Sequence, residues 1–370
     1  MNEGIYFGMS AEEYHAAPGL SHSGMRELAV SPLRYWHRYV NPDRTPQEPT
    51  PAQRLGTALH YLILEPGAFA LRYGRKLRKE DHPKALVTID DLKGWLAGNG
   101  LPTGHKRKQD LIDRIQEAAA KSEWAGPVLW DLVVEQHARE NAGRELLDPE
   151  EFARIEAAAS VARADPLIDA LLSDGYPEVS IFVRDPETGV LLKCRLDHVT
   201  AQWTVDLKSF TNRRAKEQGQ AIVDAIWYEG YYQQAVWYHD LRELASRKLA
   251  AGDLVCHGEG VLRLTDALSN HEGHRFAFVF VESEPPHELG AVLLAREPLN
   301  GAQPEEYWSE ARRHQRRMVR LFAECRERFG DSPWRDRVEV RELLDADMPQ
   351  LRYAESADLM PAGLLEASEL

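Results

Sequence analysis

The chain has 370 residues, 43% of them hydrophobic and 28% charged, which suits one large globular domain or a domain carrying an inserted module. No stretch approaches the roughly 20 consecutive apolar residues of a membrane span, the N-terminus has neither the basic nor the apolar region of a signal peptide, and Cys194, Cys256 and Cys325 are too scattered for a disulfide framework or a thiolate metal cluster, so a reducing cytoplasm is the expected location. The formal net charge of -14 argues against a general nucleic-acid coat, which would need cationic excess, while leaving room for an acidic catalytic site beside local basic runs.

In chain order, Ser21 and Ser31 read as N-caps of two short helices, with Pro32 in the first turn of the second. Residues 41–52 read as a Pro-rich loop, and residues 53–64 as a helix with Gly56, His60 and Leu64 along one stripe. Residues 86–120 look like a separate small unit: a helix capped by Thr88 and ending at Gly100, an extended Leu101-Pro102-Thr103-Gly104 turn, and a second helix opening on Lys106, Arg107 and Lys108. Residues 148–172 read as helix with a break at Pro166. The texture then changes to strands at 177–184, 190–199 and 203–208, the first two joined by a hairpin turn at 185–189. A helix at about 224–249, a strand at 276–282 and a charged helix at 304–329 follow, and residues 355–370 are weakly patterned. Residues 1–85 and 121–330 would form the main body and 331–370 an extension.

The chemistry concentrates on the strands. Asp206 and Lys208 are two apart on a strand and therefore share a face. If the preceding run pairs as a hairpin, Asp197 comes alongside Asp206. Two such carboxylates repel unless a cation lies between them, and a hard divalent ion is the economical solution. Glu178 opens the first of these strands, and Gln234 and Tyr238 lie four apart on one face of the following helix. Each feature alone has a plainer reading: a solvated ion pair for Asp-x-Lys, a core histidine for His60, and a helix edge for the Gln–Tyr pair.

Together these blocks resemble the RecB-like branch of the PD-(D/E)xK nuclease superfamily, in particular the exodeoxyribonuclease VIII family. The likeness rests on MSAEEYHAAPGLSHSGM with SPLRYW near the N-terminus, GTALHYLILEP at 56–66, RLDHV with TVDLKS at 195–209, YYQQAVWY at 231–238 and FVFVESEPP at 278–286. Residues 86–120 are similar to a SAP-type DNA-binding module through Leu92, Leu96, the Gly100–Gly104 turn, Leu111, Ile112 and Ile115.

The resemblance implies an α/β, restriction-endonuclease-like core with a mixed central sheet flanked by helices. It implies that His60, Asp197 and Asp206 hold Mg2+ (with Mn2+ able to substitute), that Lys208 is the catalytic lysine, and that Glu178 is an outer or accessory ligand. Gln234 and Tyr238 would lie near the DNA backbone, and Lys106, Arg107 and Lys108 would grip DNA. The implied activity is exonucleolytic, on linear double-stranded DNA from 5′ ends, in phage-type recombination. A single-strand annealing protein is the implied partner and a ring-shaped homo-oligomer the implied assembly. Two alternatives stay open at this stage: a RecB-like nuclease acting on single-stranded or flapped DNA, and a catalytically inactive DNA-binding accessory protein.

Overall fold

The computed structural model describes residues 1–45, 48–121, 126–212, 215–258, 274–294 and 306–335, together with Thr265, Leu268 and Ser269. The expectation for residues 355–370 lies outside these described residues. A seven-stranded mixed sheet organises the chain. Its strands are β1 (Gly4–Tyr6), β4 (Tyr176–Arg184), β5 (Leu191–Val199), β6 (Trp203–Phe210), β7 (Cys256–His257), β8 (Arg275–Glu282) and β9 (Leu289–Leu294), in the spatial order β7-β1-β4-β5-β6-β8-β9. Strands β2 (Tyr73–Arg75) and β3 (Glu145–Leu147) form a separate parallel pair. Within the large sheet β4, β5 and β6 run antiparallel in sequence, β8 lies parallel to β6, and β9 is antiparallel to β8.

Helices cover both faces. On one face α2 (Pro51–Leu64) and α5 (Pro149–Ala164) pack on Val205, Leu207, Val279 and Val281. On the other, α6 (Gln218–Tyr228), α7 (Tyr231–Ala250) and α8 (Glu306–Phe329) pack on Phe276, Phe278 and Phe280 and on the apolar residues of β4 and β5. Strand β8 is therefore buried on both sides, which is why it reads as an unbroken apolar run. Strand β6 is half of each kind: Val205 and Leu207 face α2, while Asp206 and Lys208 alternate to the other side.

The helix starts follow their capping chemistry. In α1 (His22–Val30) the Ser21 hydroxyl accepts from the Gly24 amide. Thr50 and Gln53 form a reciprocal capping box that starts α2 two residues before the expected position. Thr88 and Asp91 do the same for α3 (Ile89–Gly98), and α4 (Lys108–Ala120) completes the small helical pair. Two expectations need correction. Ser31 makes no side-chain cap to Pro32–Tyr35, which instead runs on into a wider turn at Trp36–Val40. The helix expected at about 224–249 is two helices, α6 and α7, because Gly230 adopts φ +69° and turns the chain between them.

Candidate active site

The site forms where β5 and β6 part. Their ladder holds two residue pairs, His198 with Val205 and Val199 with Thr204. Immediately beyond, the Leu207 amide donates to Asp197 Oδ2 at 2.9 Å, so a side chain takes over the hydrogen bond that the diverging backbone no longer makes. The turn between the two strands is pinned from below. Arg242 on α7 is 1% exposed and donates to the carbonyls of Thr200, Ala201 and Trp203 and to the Thr204 hydroxyl, at 2.7–3.1 Å.

Glu178 on β4 falls opposite Asp197, between the paired couples Pro177–His198 and Val179–Leu196. Here face alternation slips: Tyr176 and Val179 both border one core cluster, as do Leu196 and Val199. Glu178 itself has φ +55°, a left-handed conformation that costs a residue with a Cβ of order 1–2 kcal/mol. A ladder irregularity of this kind re-aims side chains, and here it brings two carboxylates toward α2. His60 Nδ1 is 3.8 Å from Asp197 Oδ2, and one ligand atom from each of His60, Glu178 and Asp197 lies within 4.8 Å of the others. Arg195 Nε donates to Glu178, while its Nη1 donates to the Met9 carbonyl at 2.9 Å.

Asp206 is 1% exposed, and neither of its oxygens receives a hydrogen bond of good geometry from the described residues. Its compensation is ionic: Lys208 Nζ lies 2.5 Å from Oδ2. That amine also donates to Gln234 Oε1 at 3.0 Å and sits 4.7 Å from the centre of the Tyr231 ring. Gln234 Nε2 in turn donates to the Tyr238 hydroxyl at 2.8 Å. The Gln–Tyr pair, which the resemblance would set near DNA, thus tethers the lysine in this conformation.

The electrostatics are those of a site short of positive charge. Burial drives the Asp197 carboxyl well above the usual range, with Asp206 and Glu178 adding repulsion. Burial also raises Asp206 against the opposing pull of Lys208, and raises Glu178 against that of Arg195. For Lys208 burial alone would lower the pKa, but Asp206 and Asp197 outweigh it and keep the amine firmly protonated. His60 is a quarter open to the cleft yet densely surrounded; desolvation, then Lys208, lowers it to about 4, so its imidazole is neutral and able to bind metal.

A divalent cation fits this donor set chemically. Three carboxylates and one imidazole suit Mg2+ or Mn2+, and the Asp206 oxygens, which accept no well-formed hydrogen bond among the described residues, have the Lys208 ammonium as their cationic neighbour. His60 Nδ1 and Asp197 Oδ2, 3.8 Å apart, fall within the diameter of about 4.2 Å expected for a Mg2+ shell. Glu178 belongs to this inner group by distance, whereas Asp206 stands beside Lys208 rather than in it. The positive φ of Glu178 and the role of Arg242 have no local sequence signal.

Elsewhere, His239, Asp240 and Glu243 form a second acidic group, but Arg312 lies 2.5 Å from Asp240 and already supplies its counter-charge. In the small helical unit Lys106 and Arg107 are exposed, about the start of α4, while Lys108 Nζ is 2.5 Å from Asp131. Among the described residues no helix is long and apolar enough to cross a membrane.

Scans against protein-family models and curated proteins give no match. Among solved structures, a crystal structure from Eubacterium rectale described as a candidate exonuclease covers 74% of this chain and 98% of its own, with 14% sequence identity and a TM-score of 0.33. A likeness that distant supports no inference about this chain.

Proposed function

We propose that this protein is a metal-dependent deoxyribonuclease built on a PD-(D/E)xK-type core. The observation that supports the reading is the meeting of His60, Glu178 and Asp197 beside the buried Asp206–Lys208 pair, drawn from α2, β4, β5 and β6. A phosphodiester is anionic, and Mg2+ held by these residues would neutralise its charge and make an attacking water more acidic. Lys208, fixed by Asp206 and Gln234, presents its remaining N–H to the nucleophile or to the charge growing on phosphorus. Tyr238 is held well above the usual tyrosine range by burial and the nearby carboxylates, so its hydroxyl stays protonated and holds Gln234 in place. Asp197 orients the site by clasping the Leu207 amide.

The substrate within this reading is linear double-stranded DNA, degraded exonucleolytically from 5′ ends. The product strand would pass to a single-strand annealing protein during phage-type recombination, with a ring-shaped oligomer providing processivity. These finer points rest on the family resemblance of the sequence blocks. With Mg2+, purified protein should release nucleotides from linear duplex DNA and spare a covalently closed circle. Asp206→Asn and Lys208→Ala should each lower the rate by about a hundredfold or more. Wild-type protein that cleaves no form of DNA with either Mg2+ or Mn2+ ends the proposal.

A further inference from the structure

The turn from α6 to α7 carries exposed aromatic rings that the catalytic arrangement does not use. Trp227 is 48% exposed and Tyr228 82% exposed. Trp227 is not loose: its ring centroid lies 4.8 Å from that of Tyr232 and 5.6 Å from that of Tyr307, and Tyr232 and Tyr307 are 6.2 Å apart with nearly perpendicular planes. Three rings thus brace one another and leave half of the indole facing solvent. The next ring along the chain is Tyr231, the first residue of α7, whose face covers the Lys208 amine. Gly230, at φ +69°, makes the turn that puts Tyr228 at the tip and Tyr231 over the site. Tyr228 and Trp227 precede Tyr231 by three and four residues, so their backbones lie within about 11 and 14 Å of its own.

We propose that Trp227 and Tyr228 form a stacking platform for the bases of an unpaired strand end entering the site beside Lys208. Three observations select this occupant. The platform stands at the same turn as Tyr231, the ring that covers the catalytic amine. Exposed Arg26 lies within electrostatic reach of Tyr231, where a strand's phosphates would run. The surface is also small: burying two aromatic side chains removes about 150–250 Å2 each, well short of the roughly 800 Å2 per partner of a stable protein interface. Nucleobases match a few exposed rings because every base offers a π-face, and such recognition tolerates any sequence. The platform rests on the nuclease reading for the identity of the polymer; it adds that the gripped strand is unpaired and held by its bases.

Binding is measured by fluorescence anisotropy in excess chelator, where no hydrolysis occurs, using a labelled single-stranded oligonucleotide and an abasic oligomer of equal length. Wild-type protein should bind the base-bearing strand at least about tenfold more tightly than the abasic one. The double variant Trp227→Ala, Tyr228→Ala should lose that preference and keep its affinity for the abasic strand. Trp227→Phe should retain most of the preference. Equal binding of both strands by wild-type protein, or an unchanged preference in the double variant, overturns the platform whether or not the enzyme cleaves DNA. Base-dependent binding by a protein that cleaves nothing sinks the nuclease reading alone. Sedimentation supplies the competing outcome: self-association lost in the double variant, with DNA binding intact, makes this patch a contact between copies and overturns the proposal.

Discussion

At the residue scale, the site is a set of like charges held closer than they would choose. Without a cation, Glu178, Asp197 and Asp206 repel, and burial deepens the penalty. Asp197→Asn should therefore leave the metal-free protein at least as stable as wild type, because the amide oxygen can still accept from Leu207. The same change should abolish the rise in melting temperature that Mn2+ gives wild type, a stabilisation of about 2.7 kcal/mol at a hundredfold excess over Kd. A thermal melt with and without metal reads both effects, and a full metal response in the variant would move the ion elsewhere.

His22 offers a different test at the same scale. It is 8% exposed, its Nε2 has no hydrogen-bond partner among the described residues, and burial, then Arg26, Lys208 and His314, lowers its pKa to about 3. Between that value and the usual one of about 6.5 the unfolded chain binds the extra proton, so stability falls as pH falls through this window. Replacing the ring with an apolar side chain removes this loss. The stability of His22→Met relative to wild type should thus grow by about 2 kcal/mol between pH 7 and pH 5, by urea denaturation. A difference independent of pH would show that His22 takes up its proton as readily in the fold as in the unfolded chain.

At the element scale, the β5–β6 hairpin owes its position to Arg242. Arg242→Ala would strand several buried carbonyls and should destabilise the protein by about 3 kcal/mol or more. Arg242→Lys should recover little, because one ammonium cannot reproduce the guanidinium fork. Loss below about 1 kcal/mol would mean that water satisfies the turn equally well.

This scale also separates what the sequence discloses from what it hides. Asp206 and Lys208 were legible as a same-face pair because strand alternation is a local property, and the 177–184, 190–199 and 203–208 runs carry it clearly. Strands β1, β7 and β9 escaped: the two or three residues of β7 and β1 cannot display a period, and the six-residue β9 lies at the sheet margin. The α6–α7 break escaped because apolar spacing continues past Gly230, and only its φ reveals the turn. Arg242 reads as one more charged helix residue until the fold closes over it. The placement of Glu178 opposite Asp197 needed the register of two strands, which depends on the whole hairpin.

At the scale of the whole molecule, the proposed action on DNA would require a chain with net charge -14 to collect its cations locally. Lys106 and Arg107, exposed at the head of α4, are candidates for that task. If both contact phosphates, Lys106→Gln with Arg107→Gln should weaken duplex binding without regard to sequence. The slope of log affinity against log salt should also fall by about 0.9 per lost contact. An unchanged slope would take the small helical unit out of the DNA path.

That unit has one more property with a practical outcome. Leu86 and Leu129 sit side by side, joined through backbone bonds from Leu86 to Val128 and from Trp130 to Leu86. The peptide thus departs from the body and rejoins it at one doorway, with the Leu92–Ile115 core packed just beyond. Such a doorway lets an appendage be traded: a short linker across it should excise the helical pair, and a foreign module with neighbouring termini could be spliced in, leaving the proposed active site to work with whatever grip it is handed.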